Sequence, residues 1–356
     1  MTDSDSRSTK RRRTSTSSPA LVIVAPGDPS EPAKDQETFT RHADFWLEDG
    51  NLVLLAGATA FRVFRSILVK KSAVFADMVA AGSADATETF DDCPVVRLPD
   101  DPEDLRDFLQ YLMPCSALRL RFGVPMCDFS ELHAAIRLAH KYQCADVETR
   151  ALLLLKKYYT SHFTEYDMYD PSRSALSPPS RSAAIAAVNI ARLTEKPSML
   201  PFALYLVCNS PRRMVDGYER RDGSIEYLTA EDLKLCIVAR SILAWELASL
   251  IKHVYTLTPS TGCLRKTTGQ CITAREDILE VAERNARGQC NVFEFHRDSI
   301  EDWLSDFSLC RVCKREMLAR EVQERRRVWM LLPEMFGLTA DKCGFTSGGG
   351  ESDSDS

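Results

Sequence analysis

The stretch GNLVLLAGATAFRVF at residues 50–64 decides the fold. Its first half is a short apolar run between Gly50 and Gly57, which predicts a buried strand. Residues 61–64 alternate in part between apolar and polar side chains, and a turn at residues 57–59 would let them pair with the first strand. The stretch therefore predicts a β-hairpin with a buried first strand.

The residues that follow predict helices and one more strand. Residues 67–78 suggest a helical turn and a short helix, and the β-branched residues 95–98 suggest a strand. Asp101 is a good helix start, because Pro102 suits the first turn and acidic residues follow it. Apolar stripes at helical spacing run through residues 105–112, 132–142 and 147–158. This order predicts an α+β domain in which a small sheet is covered by helices.

These residues also carry a resemblance to a known family. The matching segments are HADFWLEDGNLVL (42–54), FRVFRSILVKKSAVFADM (61–78), CPVVRL (93–98), DPEDL (101–105) and LAHKY (138–142). Together they closely resemble a BTB/POZ domain, of the type numerous in mushroom-forming fungi, over about residues 40–160. The family usually has His at the position of Phe64.

The resemblance implies a function in association. BTB domains form homodimers or bind partner proteins, and some recruit cullin-based ubiquitin ligases. The sequence has no phosphate-binding loop, no nucleophile elbow and no His-Glu-x-x-His motif, and its six histidines are scattered. We therefore expect a non-enzymatic protein–protein interaction module or adaptor, whose partners are other proteins.

Composition divides the chain into five segments. A tail at residues 1–38 is too polar to fold, and prolines mark a linker at residues 166–182. Between them lies the BTB-like domain, residues 39–165. Residues 183–340 are mainly helical in pattern, and the order of their first elements resembles the helical part that follows the BTB domain in the same fungal proteins. A flexible acidic tail is expected at residues 341–356.

One helix in the second half has a clear start. Thr229 is followed by Glu231 and Asp232, which is typical of a helix N-terminus. The predicted helix then leads into Leu233, Ile237, Ser241 and Ala244.

Charge and cysteine content limit the cellular compartment and the partners expected for the protein. No stretch reaches the roughly 18 apolar residues that a membrane span needs, and the N-terminus lacks the apolar core of a secretory signal. Twelve cysteines without an export signal predict a reducing intracellular compartment, cytoplasm or nucleus. The net charge of −6 makes nucleic acid an unfavoured partner.

A basic cluster keeps a second function open. Lys10 and the three arginines after it can act as a nuclear import signal, or they are a solvated charge run. The alternative function is therefore a nuclear regulator that contacts nucleic acid through this cluster and a zinc-supported C-terminal module.

The sharpest local motif is a Cys-x-x-Cys pair. Cys310 and Cys313 can share one tetrahedral zinc ion, which takes four ligands in a structural site. Cys263 and Cys271, at the ends of a Thr-, Gly- and Lys-rich loop, are the second pair, with Cys290 as a competitor. Such a site would tie the loop to a last helix predicted at residues 314–330.

Two other interpretations of these cysteines stay open. The gap between Cys263 and Cys271 is wider than the usual two to four residues, and ordinary reduced thiols explain the pattern at least as well. A redox dithiol is the third interpretation, but the strand-then-helix context expected for it is missing. If zinc binds, four cysteine ligands leave no open position, so its role would be structural.

Overall fold

The computed structural model describes most of the chain after its N-terminal segment. The described residues are 39–82, 88–113, 120–121, 124–125, 127–256, 258–293 and 304–345. The basic cluster at residues 10–13 and most of the expected acidic tail, residues 346–356, lie outside them. Residues 39–356 group as one compact unit, so the two halves of the described chain pack together.

The predicted hairpin forms the centre of a five-stranded sheet. Its strands are β1 (Thr40–Trp46), β2 (Leu52–Ala56), β3 (Thr59–Val63), β4 (Thr89–Phe90) and β5 (Cys93–Leu98). They are ordered β1-β3-β2-β5-β4. β2 pairs antiparallel with β3 through a turn at Gly57, whose φ of +54° suits glycine. β5 lies parallel to β2 on its other side, and β1 lies parallel to β3.

Both faces of β2 are covered, which explains its uniformly apolar sequence. Leu52, Leu54 and Ala56 point into the core beneath the helices, whereas Val53 and Leu55 belong to a second small cluster on the opposite face. All five residues of the strand are buried. A strand buried on both faces reads as a continuous apolar run rather than an alternating one.

Helices cover this sheet and then continue into the second half of the chain. The first set is α1 (Arg65–Lys71), α2 (Ala73–Gly82), α3 (Pro102–Leu112), α4 (Phe129–Lys141) and α5 (Ala145–Tyr158). A two-residue strand pair, β6 (Leu120–Arg121) and β7 (Val124–Pro125), precedes α4. The α+β architecture with a small helix-covered sheet is thus confirmed.

The second half is mainly helical. Its elements are α6 (Phe163–Asp167), α7 (Ala183–Leu193), α8 (Leu200–Cys208), α9 (Pro211–Asp216), the strand pair β8 (Tyr218–Glu219) and β9 (Ile225–Glu226), α10 (Ala230–Val254), α11 (Gln270–Ala286) and α12 (Arg311–Met335). The last helix is longer than the predicted residues 314–330 at both ends. Within the described chain, no helix combines the length and apolarity of a membrane span.

Two hydrophobic cores meet at α4 and α5. Leu138 and Val147 pack with the sheet, whereas Ile136 and Leu155 pack with α7, α8 and α10. The segment expected to be a linker contributes as well, because Leu176 is buried and bridges in parallel to Cys127. The exact position of a domain boundary stays a prediction.

Ion pairs also join the two halves. Arg220, between β8 and β9, lies 2.6 Å from the carboxylate of Asp104 on α3, and Arg137 on α4 lies 3.1 Å from the same carboxylate. Arg221 pairs with the fully buried carboxylate of Asp107. These contacts fix the β8–β9 hairpin against α3 and α4.

The packed region extends past the predicted start of the C-terminal tail. Residues 341–343 form a 3₁₀ turn, and Cys343 and Phe345 are buried. The ring of Phe345 stacks on Trp329 with centroids 5.9 Å apart. These apolar contacts join residues that are far apart in sequence. A short, mostly polar segment therefore gives no local pattern from which they could be predicted.

Candidate metal centre

Four cysteines come together in the C-terminal half. The sulfur atoms of Cys263, Cys271, Cys310 and Cys313 all lie within 4.8 Å of one another. A tetrahedral zinc ion with zinc–sulfur bonds of about 2.3 Å holds its sulfurs about 3.8 Å apart. The Sγ atoms of Cys310 and Cys263 are 4.0 Å apart, and all four cysteines are free thiols rather than disulfides. The cluster can therefore hold a metal ion.

Two helix N-termini position three of these cysteines. Cys271 is the second residue of α11, which follows Gly269 at a φ of +69°. Cys310 is the N-cap of α12, and Cys313 lies in the first turn of that helix. Unpaired N–H groups and the positive end of the helix dipole both favour negative charge at such positions. The local fold thus favours thiolates here.

Backbone donors act directly on the sulfurs. The N–H of Cys310 donates to Sγ of Cys271 over 3.3 Å. Burial opposes ionisation of Cys310, but the N–H groups of Cys313 and Leu264 donate to its sulfur and lower its pKa to about 6. N–H donors around metal-bound sulfurs orient the ligands and stabilise their charge.

The four thiols are not equivalent. Burial raises the pKa of Cys271 to about 12. For Cys313, burial opposes ionisation, but the neighbouring donor groups of Ser260 and Arg275 outweigh it and lower the pKa. The N–H group of Arg265 favours ionised Cys263, but burial and the neighbouring thiols outweigh it and raise the pKa of Cys263. The cluster therefore combines two thiols that ionise easily, Cys310 and Cys313, with two that ionise less easily, Cys263 and Cys271. Metal uptake by such a site releases protons.

The surroundings show why a metal would matter. Cys271, Cys310 and Cys313 form a small buried cluster of their own, separate from the main core, with partly buried Leu309 and Val312 beside it. Little apolar surface therefore fixes the loop before α11 to the start of α12. A metal bound by four sulfurs would link them without leaving an open coordination position for a substrate.

The competing ligand does not join the cluster. Sγ of Cys290 lies 3.4 Å from the carbonyl oxygen of Cys208 and 3.4 Å from Oδ1 of Asn209. The four cysteines proposed from the sequence are thus the ones the fold brings together. Sequence reasoning missed Ser260 and Arg275; the only signal was that Arg275 follows Cys271 by four residues, which places both on one face of α11.

A second feature is an apolar surface on α10. Ile237, Val238, Ile242 and Trp245 are exposed by 55%, 60%, 36% and 66%. The helix instead buries the opposite face, formed by Cys236, Ala239, Leu243, Leu247 and Leu250. Of the residues that the sequence placed along this helix, Ile237, Ser241 and Ala244 are exposed and Leu233 is half-buried.

The exposed face of α10 is long and without charge. Between Lys234 and Lys252 its exposed positions are residues 237, 238, 241, 242, 244, 245 and 248, and none of them is charged. Solvent-exposed helix faces normally carry charged and polar side chains. Contiguous apolar patches of this kind mark interaction sites.

Comparison with the models of known protein families and with characterised proteins finds no match.

Proposed function

We propose that this chain works by binding other proteins, with a BTB/POZ-type domain at residues 39–165 and a partner surface on α10. The observation that carries the proposal is the uncharged apolar face around Trp245, which is 66% exposed. Tryptophan is among the residues most often found at the energetic centre of protein interfaces. Binding a partner would remove this surface from water.

The arrangement of residues 39–165 supports the family part of the proposal. The resemblance implies a small sheet covered by helices, and this segment has one, with β5 returning parallel to β2. Phe64, where the family usually has His, is half-buried and starts α1 without a side-chain cap. The partner classes that the resemblance implies are a second copy of this chain and a cullin-type ubiquitin ligase scaffold.

The test compares purified wild-type protein with two variants. Trp245→Glu places a charge in the apolar face of α10. Met168→Glu is the matched control, because Met168 is also an exposed apolar residue, 77% exposed, but lies outside α10. Sedimentation would measure self-association, and affinity purification with nuclease treatment followed by mass spectrometry would measure partner capture. We expect Trp245→Glu to lose a dimer or a partner that Met168→Glu retains.

Three results would contradict this proposal. The proposal would be refuted if the wild-type protein is monomeric and captures no partner. It would also be refuted if Trp245→Glu and Met168→Glu self-associate or capture partners equally well. Capture that disappears after nuclease treatment or falls steeply with salt would instead favour the nuclear regulator.

We further propose that the four-cysteine cluster binds a structural zinc ion. The observation that carries this is the mutual approach of four sulfurs to within 4.8 Å at two helix N-termini. Elemental analysis of protein purified without added metal should find one zinc per chain, and Cys310→Ser should lower this content. A metal-free wild-type protein that also fails to take up zinc would refute the proposal.

A further inference from the structure

Arg275 is a charged side chain with no exposure to solvent. It lies on α11, one turn after Cys271, and its exposed fraction is 0%. Full burial of arginine is rare, because removing a charge from water is costly unless an opposite charge compensates it. The environment of this guanidinium therefore needs a negative partner.

Oxygen atoms accept hydrogen bonds from only some of the N–H groups of this guanidinium. Nη1 donates to the carbonyl oxygen of Thr256 over 2.8 Å. Nε and Nη2 have no hydrogen-bond partner of ordinary geometry within the described part of the chain. In the described part of the chain, none of these three nitrogens is therefore hydrogen-bonded to a carboxylate.

Arg275 lies on the same face of α11 as Cys271, a member of the cysteine cluster. The side chains of Arg275 and Ser260 both lie next to the sulfur of Cys313. The hydroxyl of Ser260 is likewise buried without an ordinary partner. Two buried donor groups from different segments thus converge on one sulfur.

Charge arithmetic shows which state of the cluster suits this arrangement. A metal-free cluster offers Arg275 only the charge of those thiols that ionise on their own. Four thiolates around a divalent ion carry a net charge of −2, which one guanidinium reduces to −1. Helix N-termini and N–H donors can stabilise the remainder.

We propose that Arg275 is a positioning residue of the metal centre, whose guanidinium balances the negative charge of a tetrathiolate-bound divalent ion and holds Cys313 in place. This rests on the proposed zinc site. Ser260 supports the same sulfur as a neutral donor.

The experiment measures metal affinity in four full-length proteins. These are the wild type, Arg275→Met, Arg275→Lys and the control Arg284→Met, which lies on the same helix but is 60% exposed and paired with Glu280. Metal-free protein, kept reduced, is titrated with Co²⁺ and then with Zn²⁺ against a chelator. Cobalt–thiolate absorption reports the number of sulfur ligands, and circular dichroism reports helix content.

We expect Arg275→Met to bind metal about 10- to 100-fold more weakly, as is typical when a partner of a metal ligand is lost. The cobalt spectrum should still be that of four sulfur ligands. Arg275→Lys should recover part of the affinity because it keeps the charge but not the planar donors. Arg284→Met should match the wild type.

Contrary results separate the two proposals. Equal affinity of Arg275→Met and the wild type would overturn the role of Arg275 and leave the zinc site intact. A wild-type protein that binds neither Co²⁺ nor Zn²⁺ would overturn both. If Arg275→Met does not fold, Arg275→Lys and Ser260→Ala decide, since wild-type affinity in both would also refute the inference.

Discussion

Substitution by alanine should have very different effects on stability at two tryptophans in the second half of the chain. Trp329 on α12 has no exposed surface, and Trp245 on α10 is 66% exposed. The ring of Trp329 lies 5.0 to 5.2 Å from the rings of Tyr166, Phe202 and Phe293, and its Nε1–H donates to the carbonyl oxygen of Ser161 over 3.0 Å. Trp329 therefore joins α6, α8 and α12 in one core.

The cost of Trp329→Ala follows from these contacts. Replacing a buried aromatic residue with alanine costs about 3–5 kcal/mol. Losing the indole hydrogen bond removes the donor to a partly buried carbonyl oxygen, which adds about 1 kcal/mol. We expect the free energy of unfolding to fall by about 4–6 kcal/mol, close to the whole stability of a marginal domain.

Urea unfolding followed by far-UV circular dichroism measures the effect without relying on tryptophan fluorescence. Trp245→Ala is the control, and a surface substitution of this kind should change the free energy of unfolding by less than about 0.5 kcal/mol. The reasoning fails if Trp329→Ala costs less than about 1 kcal/mol. It also fails if Trp245→Ala is as destabilising, because that face of α10 would then be part of the core.

Three further predictions concern the metal centre, a helix cap and acid stability. Cys313→Ser should remove tight zinc binding, and a chelator should then destabilise the wild type but not the variant in thermal unfolding. Thr229→Ala should cost about 1 kcal/mol in urea unfolding, since Oγ1 of Thr229 accepts from the N–H of Asp232 over 3.1 Å; an unchanged midpoint would contradict this. Burial disfavours ionised Glu226, but His133, Asn189 and Arg137 outweigh it and lower its pKa. Its charge should therefore stabilise the protein above the unfolded-state pKa of about 4.3 and cease to do so as the pH falls, so Glu226→Gln should flatten the acid side of a stability–pH curve.

Local physical chemistry was enough to predict several elements of the fold. β2 and β3 follow from a short apolar run and a turn at Gly57. The side chain of Asp101 accepts from two N–H groups at the start of α3, as its position before Pro102 predicts. Such features depend on residues a few positions apart, so the sequence contains all of the information they need.

The faces of α10 could not be assigned in this way. Apolar residues occur on both sides of the helix between Lys234 and Lys252, and the charged residues there, Arg240 and Glu246, are not on the exposed side. Periodicity therefore does not distinguish Ile237 from Leu243. The packing of α8, α11 and α12 decides that Leu243 is buried and Ile237 is exposed. A partner surface on this helix becomes visible only in three dimensions.

The cysteine cluster shows the same division within one site. Thiol chemistry and the Cys-x-x-Cys spacing of Cys310 and Cys313 were enough to propose four sulfur ligands. The sequence could not decide whether Cys290 or the pair Cys263 and Cys271 belongs to the ligand set. That choice depends on the distance between the starts of α11 and α12, which only the tertiary structure fixes. The buried charge of Arg275 beside the sulfurs is likewise a product of tertiary packing, because only folding excludes the water that would otherwise solvate it.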